Sequence, residues 1–134
     1  MEVARVLLVD DDPSSRLTLK ALLEAGGYRV DAAASAAEAL GKLDERQYEL
    51  VLSDLQMESP RAGLKVLAHA RLMNYKPATA IVTTYRSKPA QTNRLGTLRP
   101  VLIEPQDLPG FMSKVADLIS ERAARIVHRE LRRA

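Results

Sequence analysis

The sequence lacks several residue types, and each absence removes a class of function. None of its 134 residues is cysteine, which excludes disulfide bonds, thiolate metal sites and a cysteine nucleophile. Only two residues are histidine, and they stand apart, so no histidine-rich metal centre is predicted. Aromatic residues make up 4% of the chain, which leaves few side chains on which the bases of a single-stranded nucleic acid can stack.

Long apolar runs and glycine-rich phosphate loops are also missing. No apolar run approaches the ~20 residues that a membrane-spanning helix requires, and the N-terminus lacks the pattern of a secretory signal peptide. We therefore expect a cytoplasmic protein without a membrane partner. Neither G-x-G-x-x-G nor G-x-x-x-x-G-K-[ST] occurs, so no nucleotide-binding loop is predicted. The composition, 46% apolar and 28% charged, is typical of one soluble globular domain.

Acidic residues are absent from one long stretch of the chain. Residues 59–103 contain eight basic residues and no acidic one, whereas residues 1–58 contain twelve acidic and six basic residues. Residues 104–134 contain five acidic and six basic residues. The three segments thus carry −6, +8 and +1 of the net charge of +3. A basic region attracts acidic partners or nucleic acid, but lysine and arginine also belong on ordinary solvated surfaces.

Five apolar segments alternate with stretches of helical periodicity, as in a parallel sheet whose strands are connected by helices. The second segment alternates apolar and polar residues, which predicts a strand at the sheet edge. Ser35, with Glu38 three residues later, predicts a capping box that opens the second helix. The predicted strands are Val3–Val9, Tyr28–Ala33, Glu49–Asp54, Ala78–Thr84 and Val101–Ile103.

Two further helices have recognisable starts or faces. Asp12 before Pro13 predicts a helix start, because the carboxylate caps free amides and proline is tolerated at the first helical position. That helix is expected to bury Leu17, Leu22 and Leu23. The helix between the third and fourth strands is expected to bury Leu64, Leu67, Ala68 and Leu72.

The second half of the chain is less regular. Prolines, a glycine and the lack of an apolar period between Arg86 and Pro100 predict an irregular fourth helix that is short, displaced or absent. Helical periodicity resumes near Pro109 and continues beyond the core-facing stripe. We therefore predict a domain over residues 1–120 and a basic helical extension over residues 121–134. Its partner-surface residues, for a homodimer or for nucleic acid, are predicted to be Arg122, Arg125, Ile126 and Arg129.

Acidic and hydroxyl side chains stand where the predicted strands end. Asp10 and Asp11 follow the first strand, Asp54 ends the third, Thr83 lies in the end of the fourth and Glu104 follows the fifth. In open α/β sheets, ligands bind outside the carboxyl ends of the strands. Clustered carboxylates repel one another, and Mg²⁺ relieves this by taking carboxylate, carbonyl and water oxygens. The sequence therefore predicts a magnesium-dependent phosphoryl site.

Four segments together resemble the receiver domain of two-component response regulators. The resemblance covers about residues 3–120 and implies a doubly wound, five-stranded parallel sheet of flavodoxin-like order 2-1-3-4-5. It predicts this α/β fold with the irregular fourth helix and an extended C-terminal helix. The segments are Leu-Leu-Val-Asp-Asp-Asp-Pro (7–13), Leu-Val-Leu-Ser-Asp-Leu-Gln-Met (50–57), Ala-Ile-Val-Thr-Thr (80–84) and Ile-Glu-Pro (103–105).

The resemblance also implies a role for each strand-end residue. Asp54 would accept a phosphoryl group from a phosphohistidine on a histidine kinase or phosphotransfer protein. Asp11, Asp54 and the backbone carbonyl of Gln56 would bind Mg²⁺ directly, and Asp10 would hold it through water. Thr83 would donate its hydroxyl to a phosphoryl oxygen as the switch. Such a domain assists its own phosphorylation and is not a turnover enzyme. It would bind nucleic acid only through a fused effector domain or the basic tail.

Two departures from the family pattern affect this site. Glu104 occupies the position of a lysine that normally bonds the phosphoryl oxygens, and a carboxylate there opposes phosphorylation unless it turns away. The proline that usually follows Met57 is replaced by Glu58. One additional residue also precedes Gly63, so the loop on the metal side is expected to differ from the family's.

Two other functions remain open from the sequence. A pseudo-receiver would keep the fold and act through protein contacts or dimerisation without phosphorylation, and Glu104 favours it. A phosphatase of the haloacid dehalogenase type would use Asp10 and Asp12 as its opening pair. That family also needs a later lysine and a downstream acid pair, and no acidic residue occurs from Ser59 through Ile103.

Overall fold

The computed structural model describes residues 3–55, 57–82, 101–103 and 108–133. Strands and helices alternate in these segments, as the sequence predicts. The predicted irregular helix lies outside the described residues. In chain order the elements are β1 (Arg5–Val9), α1 (Pro13–Ala25), β2 (Arg29–Ala33), α2 (Ala36–Glu45), β3 (Leu50–Asp54), α3 (Ala62–Leu72), β4 (Ala78–Val82), β5 (Val101–Ile103) and α4 (Leu108–Arg133).

The strands form one parallel sheet in the order β2-β1-β3-β4-β5. The predicted order 2-1-3-4 is confirmed, and the sheet continues where Ala80 and Val82 of β4 pair with Val101 and Ile103. The central strand β1 lies between β2 and β3. β2 is at the edge, as its alternating sequence predicts. Because all strands run in one direction, their carboxyl ends share one edge of the sheet.

Helices cover both faces of the sheet, and successive residues of β1 belong to opposite faces. Val6 and Leu8 pack in the cluster that includes residues of α1 and α4, whereas Leu7 and Val9 pack in the cluster that includes residues of α2 and α3. This division follows from the two-residue side-chain period of a strand. It explains why β1 is apolar almost throughout, since a strand buried on both faces exposes no side to water.

Two predicted helix faces are confirmed only in part. In α1, the predicted Leu23 is buried and Leu22 is half-buried against the core, whereas Leu17 is 70% exposed and Leu19 is buried instead. Leu17 and Leu19 are two residues apart, about 200° around a helix, so they cannot share one buried face. In α3, the predicted Leu67 is buried and Leu64 is half-buried. Leu72 is 76% exposed and Ala68 is also exposed, so these two predictions were wrong. The buried residues of α3 are Ala62, Gly63, Val66, Leu67 and Ala70.

The predicted caps at the starts of α1 and α2 are confirmed. The Asp12 carboxylate accepts a hydrogen bond from the backbone N–H of Ser14 at 3.2 Å. The Ser35 hydroxyl accepts one from the N–H of Glu38 at 3.2 Å. The Glu38 carboxylate accepts a bond from the N–H of Ala34 at 3.0 Å, one residue before the donor of a standard capping box. These bonds fix the helix starts that follow β1 and β2.

The C-terminal helix α4 is longer than the domain core needs. Its 26 residues span about 39 Å at 1.5 Å per residue. Phe111, Val115 and Leu118 are buried in the core, whereas Val127 and Leu131 are 55% and 68% exposed. The predicted extended C-terminal helix is therefore present. No helix of the described residues is both long and apolar enough to cross a membrane.

Arg122 attaches the second half of α4 to the domain. Its Nε donates to the carbonyl oxygen of Lys76 at 2.9 Å, and its Nη2 donates to that of Tyr75 at 2.7 Å. Burial lowers the pKa of Arg122, and the nearby Glu49 carboxylate opposes that shift. The Tyr75 hydroxyl in turn donates to the carbonyl oxygen of Leu43 at the end of α2, at 2.9 Å. Tyr75 thus connects α4 to α2.

Candidate metal centre

Three carboxylates meet at the carboxyl edge of the sheet. One oxygen each of Asp10, Asp11 and Asp54 lies within 4.8 Å of the others. β1 and β3 are adjacent and parallel, so the residues that follow or end them are brought together. Asp10 is 3% exposed and Asp54 is 6% exposed, whereas Asp11 is exposed to solvent. We call these three residues the acidic cluster.

Asp10 is fixed through both its backbone and its side chain. Its N–H donates to the carbonyl oxygen of Ala33 at 3.0 Å, which continues the pairing of β1 with β2. Its carboxylate accepts a hydrogen bond from the N–H of Asp12 at 3.0 Å. The Arg16 guanidinium donates to the carbonyl oxygen of Asp10 at 2.9 Å. These contacts hold the Asp10 carboxylate toward the cluster.

Asp54 is positioned by close packing of α3 against the end of β3. The Ser53 hydroxyl donates to the carbonyl oxygen of Asp54 at 3.0 Å. A β-carbon on Gly63 would overlap the same oxygen and would lie 2.9 Å from the carbonyl oxygen of Leu55. Only glycine permits this approach of α3 without a shift of the backbone. The lack of a β-carbon at Gly63 therefore allows α3 to pack directly against the backbone that carries Asp54.

The donor set of the acidic cluster fits a hard divalent cation. Buried carboxylates require compensation of their charge, and two of the three cluster residues are buried. All three offer oxygen, which Mg²⁺ and Ca²⁺ prefer, whereas structural zinc sites are built chiefly from sulfur and nitrogen. Mg²⁺ characteristically uses one or two protein carboxylates and keeps several water ligands. A partly open cluster of three aspartates suits that requirement.

The loop between β3 and α3 is tied to the start of α2. The Glu58 carboxylate accepts a hydrogen bond from the backbone N–H of Ala36 at 2.8 Å. The two residues are 22 positions apart, and no local pattern in the sequence indicates their contact. Sequence reasoning identified Glu58 only as an unusual residue in the position of a family proline.

Several residues with predicted roles lie outside the described segments. They are Gln56, Thr83 and Glu104, whose assigned roles stay predictions. In the extension, Arg125 and Arg129 are exposed, as a partner surface requires. Arg122 is half-buried instead, and its guanidinium donates hydrogen bonds to two backbone carbonyl oxygens of the same chain. Ile126 is half-buried.

Other carboxylates near the opposite, amino edge of the sheet have different surroundings. The Tyr48 hydroxyl donates to the Asp31 carboxylate at 2.7 Å, and an Arg5 guanidinium nitrogen lies 3.7 Å from the same carboxylate. The Glu49 carboxylate accepts a bond from the Arg5 N–H at 2.6 Å. Burial, together with the Asp31 carboxylate, raises the pKa of Tyr48 above its ordinary value. Tyr48 therefore remains a hydrogen-bond donor at neutral pH.

Comparison with known sequences agrees with this arrangement. The profile of the response regulator receiver domain matches residues 6–97. Transcriptional regulatory protein ZraR of Klebsiella oxytoca is 36% identical over 121 residues, which cover 89% of this chain and 27% of ZraR. Transcriptional regulatory protein GlrR of Escherichia coli K12 is 36% identical over 122 residues, which cover 90% of this chain and 27% of GlrR. The chain therefore spans only a small part of the length of these curated relatives.

Solved structures give the same result for the fold. A CheY-like response regulator receiver domain protein from Methanospirillum hungatei JF-1 is 25% identical, with a TM-score of 0.77 over 92% of this chain and 99% of its own. TrrA from Thermotoga maritima, a response regulator solved in complex with Mg²⁺-BeF, is 26% identical. Its TM-score is 0.71 over 87% of this chain and 99% of its own.

The family profile spans more than half of the chain and includes Asp10, Asp11 and Asp54. The observed parallel sheet has the strand order expected from this family. Sequence, topology and acidic cluster thus agree, and the chain belongs to the response regulator receiver domain family of two-component systems.

Proposed function

We propose that this domain accepts a phosphoryl group on Asp54 from a phosphohistidine of a histidine kinase or phosphotransfer protein, in the presence of Mg²⁺. The observation that carries the proposal is the approach of the Asp10, Asp11 and Asp54 carboxylates within 4.8 Å. The similarity to TrrA, which was solved with Mg²⁺-BeF, supports it further. Phosphorylation would then change the conformation of the domain and relay the signal.

In the proposed reaction, a carboxylate oxygen of Asp54 attacks the phosphorus atom. A P–O bond forms while the P–N bond to the donor imidazole breaks, and its electron pair returns to the ring nitrogen. Asp11, Asp54 and the Gln56 carbonyl would hold the cation, with Asp10 acting through water. When bound, Mg²⁺ supplies positive charge that offsets the carboxylates and phosphoryl oxygens. Thr83 would donate to a phosphoryl oxygen.

The domain accepts the group itself, so we propose a phosphoacceptor and not a turnover enzyme. We also propose a cytoplasmic location without a membrane partner, from the composition of the chain. The receiver unit is proposed to occupy residues 1–120. Residues 121–134 would be its basic helical extension.

Mass spectrometry after incubation with Mg²⁺ and acetyl phosphate tests the phosphoacceptor. The chain should gain one phosphoryl group, and Asp54→Ala should abolish this gain. Asp12→Ala is the matched control, since Asp12 neighbours the cluster but caps α1, and it should retain phosphorylation. Modification that survives Asp54→Ala would show that another residue is the acceptor.

The second candidate is a pseudo-receiver that acts through protein contacts, and it is favoured by Glu104 in the position of the family lysine. A fourth carboxylate near the site would oppose the arrival of a phosphoryl group. We expect Glu104→Lys to increase the yield or rate of phosphorylation at Asp54. If the wild-type chain shows no phosphorylation and Glu104→Lys does, the pseudo-receiver is the better description of the natural domain.

The extension of α4 is proposed to associate with a second copy of the chain. Val127 and Leu131 lie four residues apart on one exposed face, and burial in a helix pair would remove them from water. Light scattering should show a dimer that Val127→Asp with Leu131→Asp converts to a monomer. His128→Asp, at an exposed position beside this face, is the control. Monomeric wild-type protein that binds random DNA in a salt-dependent manner would favour nucleic acid instead.

A further inference from the structure

The hydrogen bond between Glu58 and Ala36 connects two elements that flank the acidic cluster. Ala36 is the first residue of α2, and its N–H is one of the amides that a helix start leaves without an intrahelical partner. The carboxylate of Glu58 approaches that N–H to 2.8 Å, where the positive end of the helix dipole favours a negative charge. The bond therefore satisfies an amide of α2 with a side chain from the β3–α3 loop.

The start of α2 has other caps that do not involve this loop. The Ser35 hydroxyl accepts from the N–H of Glu38 at 3.2 Å, and the Glu38 carboxylate accepts from the N–H of Ala34 at 3.0 Å. Glu38 and Glu58 thus both stabilise the same helix start. They differ in what they connect, since Glu38 stays within its own turn and Glu58 reaches across 22 residues.

The same segment is also joined to the other side of the acidic cluster. The N–H of Asp10 donates to the carbonyl oxygen of Ala33 at 3.0 Å, three residues before Ala36. Glu58 in turn stands four residues after Asp54. The end of β1, the start of α2 and the β3–α3 loop are therefore connected by hydrogen bonds around the cluster.

The far end of the β3–α3 loop is held by separate contacts. The N–H of Ala62 donates to the carbonyl oxygen of Ser59 at 3.2 Å, and Gly63 packs closely on the carbonyl oxygen of Asp54. The segment between Asp54 and Glu58 is thus bounded by β3 on one side and by the bond to α2 on the other. Leu55 is buried against Leu67 and Ile81, and Met57 packs on the cluster that includes α2. Loss of the Glu58 carboxylate would remove the hydrogen bond from this segment to α2 and leave it held by this packing.

We propose that Glu58 is a positioning residue for the magnesium site, and that its bond to Ala36 holds the β3–α3 loop in the conformation that binds the cation. The inference rests on the proposed function. Proline, usual at this position in the family, restricts the backbone through its fixed φ angle. In this chain, a hydrogen bond to another element supplies the restraint.

The test compares three variants of the full chain by isothermal titration calorimetry with MgCl₂. Glu58→Ala removes the acceptor and should weaken Mg²⁺ binding about tenfold, as loss of an outer-shell partner does. Glu58→Gln keeps an oxygen acceptor and should bind nearly as well as the wild type. Glu38→Ala weakens the same helix start without touching the loop, so it should lower Tm and leave Mg²⁺ affinity unchanged.

Amide hydrogen exchange gives a readout that does not depend on the metal. Without Mg²⁺, exchange at Ala36 and at residues 57–59 should accelerate in Glu58→Ala. Acceleration at residues 57–59 should be absent in Glu38→Ala. Equal exchange in wild type and Glu58→Ala would overturn the proposal.

The calorimetric outcomes separate this inference from the proposed function. Unchanged Mg²⁺ affinity in Glu58→Ala, or equal losses in Glu58→Ala and Glu38→Ala, overturns the positioning role while the function stands. Equal losses in Glu58→Ala and Glu58→Gln overturn it too, because charge and not the tether would then be responsible. A wild-type chain that binds no Mg²⁺ rejects the proposed function and this inference with it.

Discussion

The carboxylates near the two ends of the parallel strands have opposite surroundings. Near the amino edge, the Asp31 carboxylate accepts a hydrogen bond from the Tyr48 hydroxyl and pairs with the Arg5 guanidinium. The Glu49 carboxylate accepts a hydrogen bond from the backbone N–H of Arg5. At the carboxyl edge, one oxygen of each of three aspartates gathers within 4.8 Å. The first arrangement satisfies negative charge with donors from the chain. The second concentrates negative charge where a cation from solvent can enter.

This difference distinguishes carboxylates that are paired within the fold from the three for which we propose a cation. A charged group bonded within the chain contributes to folding stability, and its removal lowers that stability. Like charges held close together oppose folding, and a bound cation relieves that repulsion. Substitutions at the two edges are therefore expected to differ in sign and in their dependence on magnesium.

The largest expected effect is stabilisation of the carboxyl edge by Mg²⁺. At a free concentration one hundred times Kd, binding to the native state adds about 2.7 kcal/mol to the free energy of unfolding. Urea unfolding with and without MgCl₂ measures this increment. Asp11→Asn should abolish most of it, whereas Asp31→Asn should lower stability and retain it. An undiminished increment in Asp11→Asn would contradict the proposed ligand set.

The next effect concerns the backbone that carries Asp54. Gly63→Ala would introduce a β-carbon against the carbonyl oxygens of Asp54 and Leu55, and overpacking of this kind lowers stability by about 2 kcal/mol. Gly41→Ala is the control, because nothing lies within 4 Å of a β-carbon there. In the middle of α2 this change should raise stability by about 0.5–1 kcal/mol. Equal effects of the two changes in urea unfolding would exclude close packing as the cause.

A smaller effect is expected from the paired Asp31 carboxylate, in the middle of β2. Tyr48→Phe removes the hydroxyl that donates to Asp31 at 2.7 Å, which should lower the free energy of unfolding by about 1.5 kcal/mol. The loss should be the same with and without Mg²⁺. A double-mutant cycle with Asp31→Ala isolates the pair, because alanine, unlike asparagine, leaves no oxygen to accept the hydrogen bond. Additive losses in that cycle would mean that the hydrogen bond contributes nothing.

The smallest expected effect appears only in alkali. Burial raises the pKa of Tyr75 from 10.0 to about 12, with the Asp44 carboxylate as a lesser cause. Above pH 10 the unfolded chain loses this proton while the folded chain keeps it, so stability should fall as pH rises from 10 toward 12. Tyr75→Phe should reduce that fall relative to wild type in urea unfolding at pH 9 and 11. An identical pH dependence in both proteins would contradict the shift.

The parts of the fold that could be predicted depend on short repeating patterns. Strand order followed from the family resemblance and the edge-like alternation of β2, and the caps at Asp12 and Ser35 from local spacing. The acidic cluster followed because parallel strands bring their carboxyl ends together. In the predicted inner face of α1, Leu23 is confirmed and only Leu17 was wrong, because Leu17 is apolar but lies out of phase with Leu19 and Leu23.

Contacts between distant residues could not be predicted. Glu58 bonds a backbone amide 22 residues away, and Arg122 bonds carbonyls 46 and 47 residues away. Backbone groups look alike in every sequence, so no residue type marks Ala36 or Tyr75 as a partner. Arg122 was instead assigned to a partner surface because it lies among the arginines of the predicted basic extension. Its partial burial against the domain depends on the path of α4, which periodicity alone does not define.

Because Arg122 attaches α4 to the domain, a tilt of the helix would pivot about this residue. Arg133, at the end of the helix, lies eleven positions after Arg122, a distance of about 16 Å along the axis. A tilt of ~10° about Arg122 would therefore move the end of the helix by ~3 Å, provided that it stays straight. A rearrangement too small to disturb the core would therefore displace the exposed end of α4 by several times more than its attachment at Arg122.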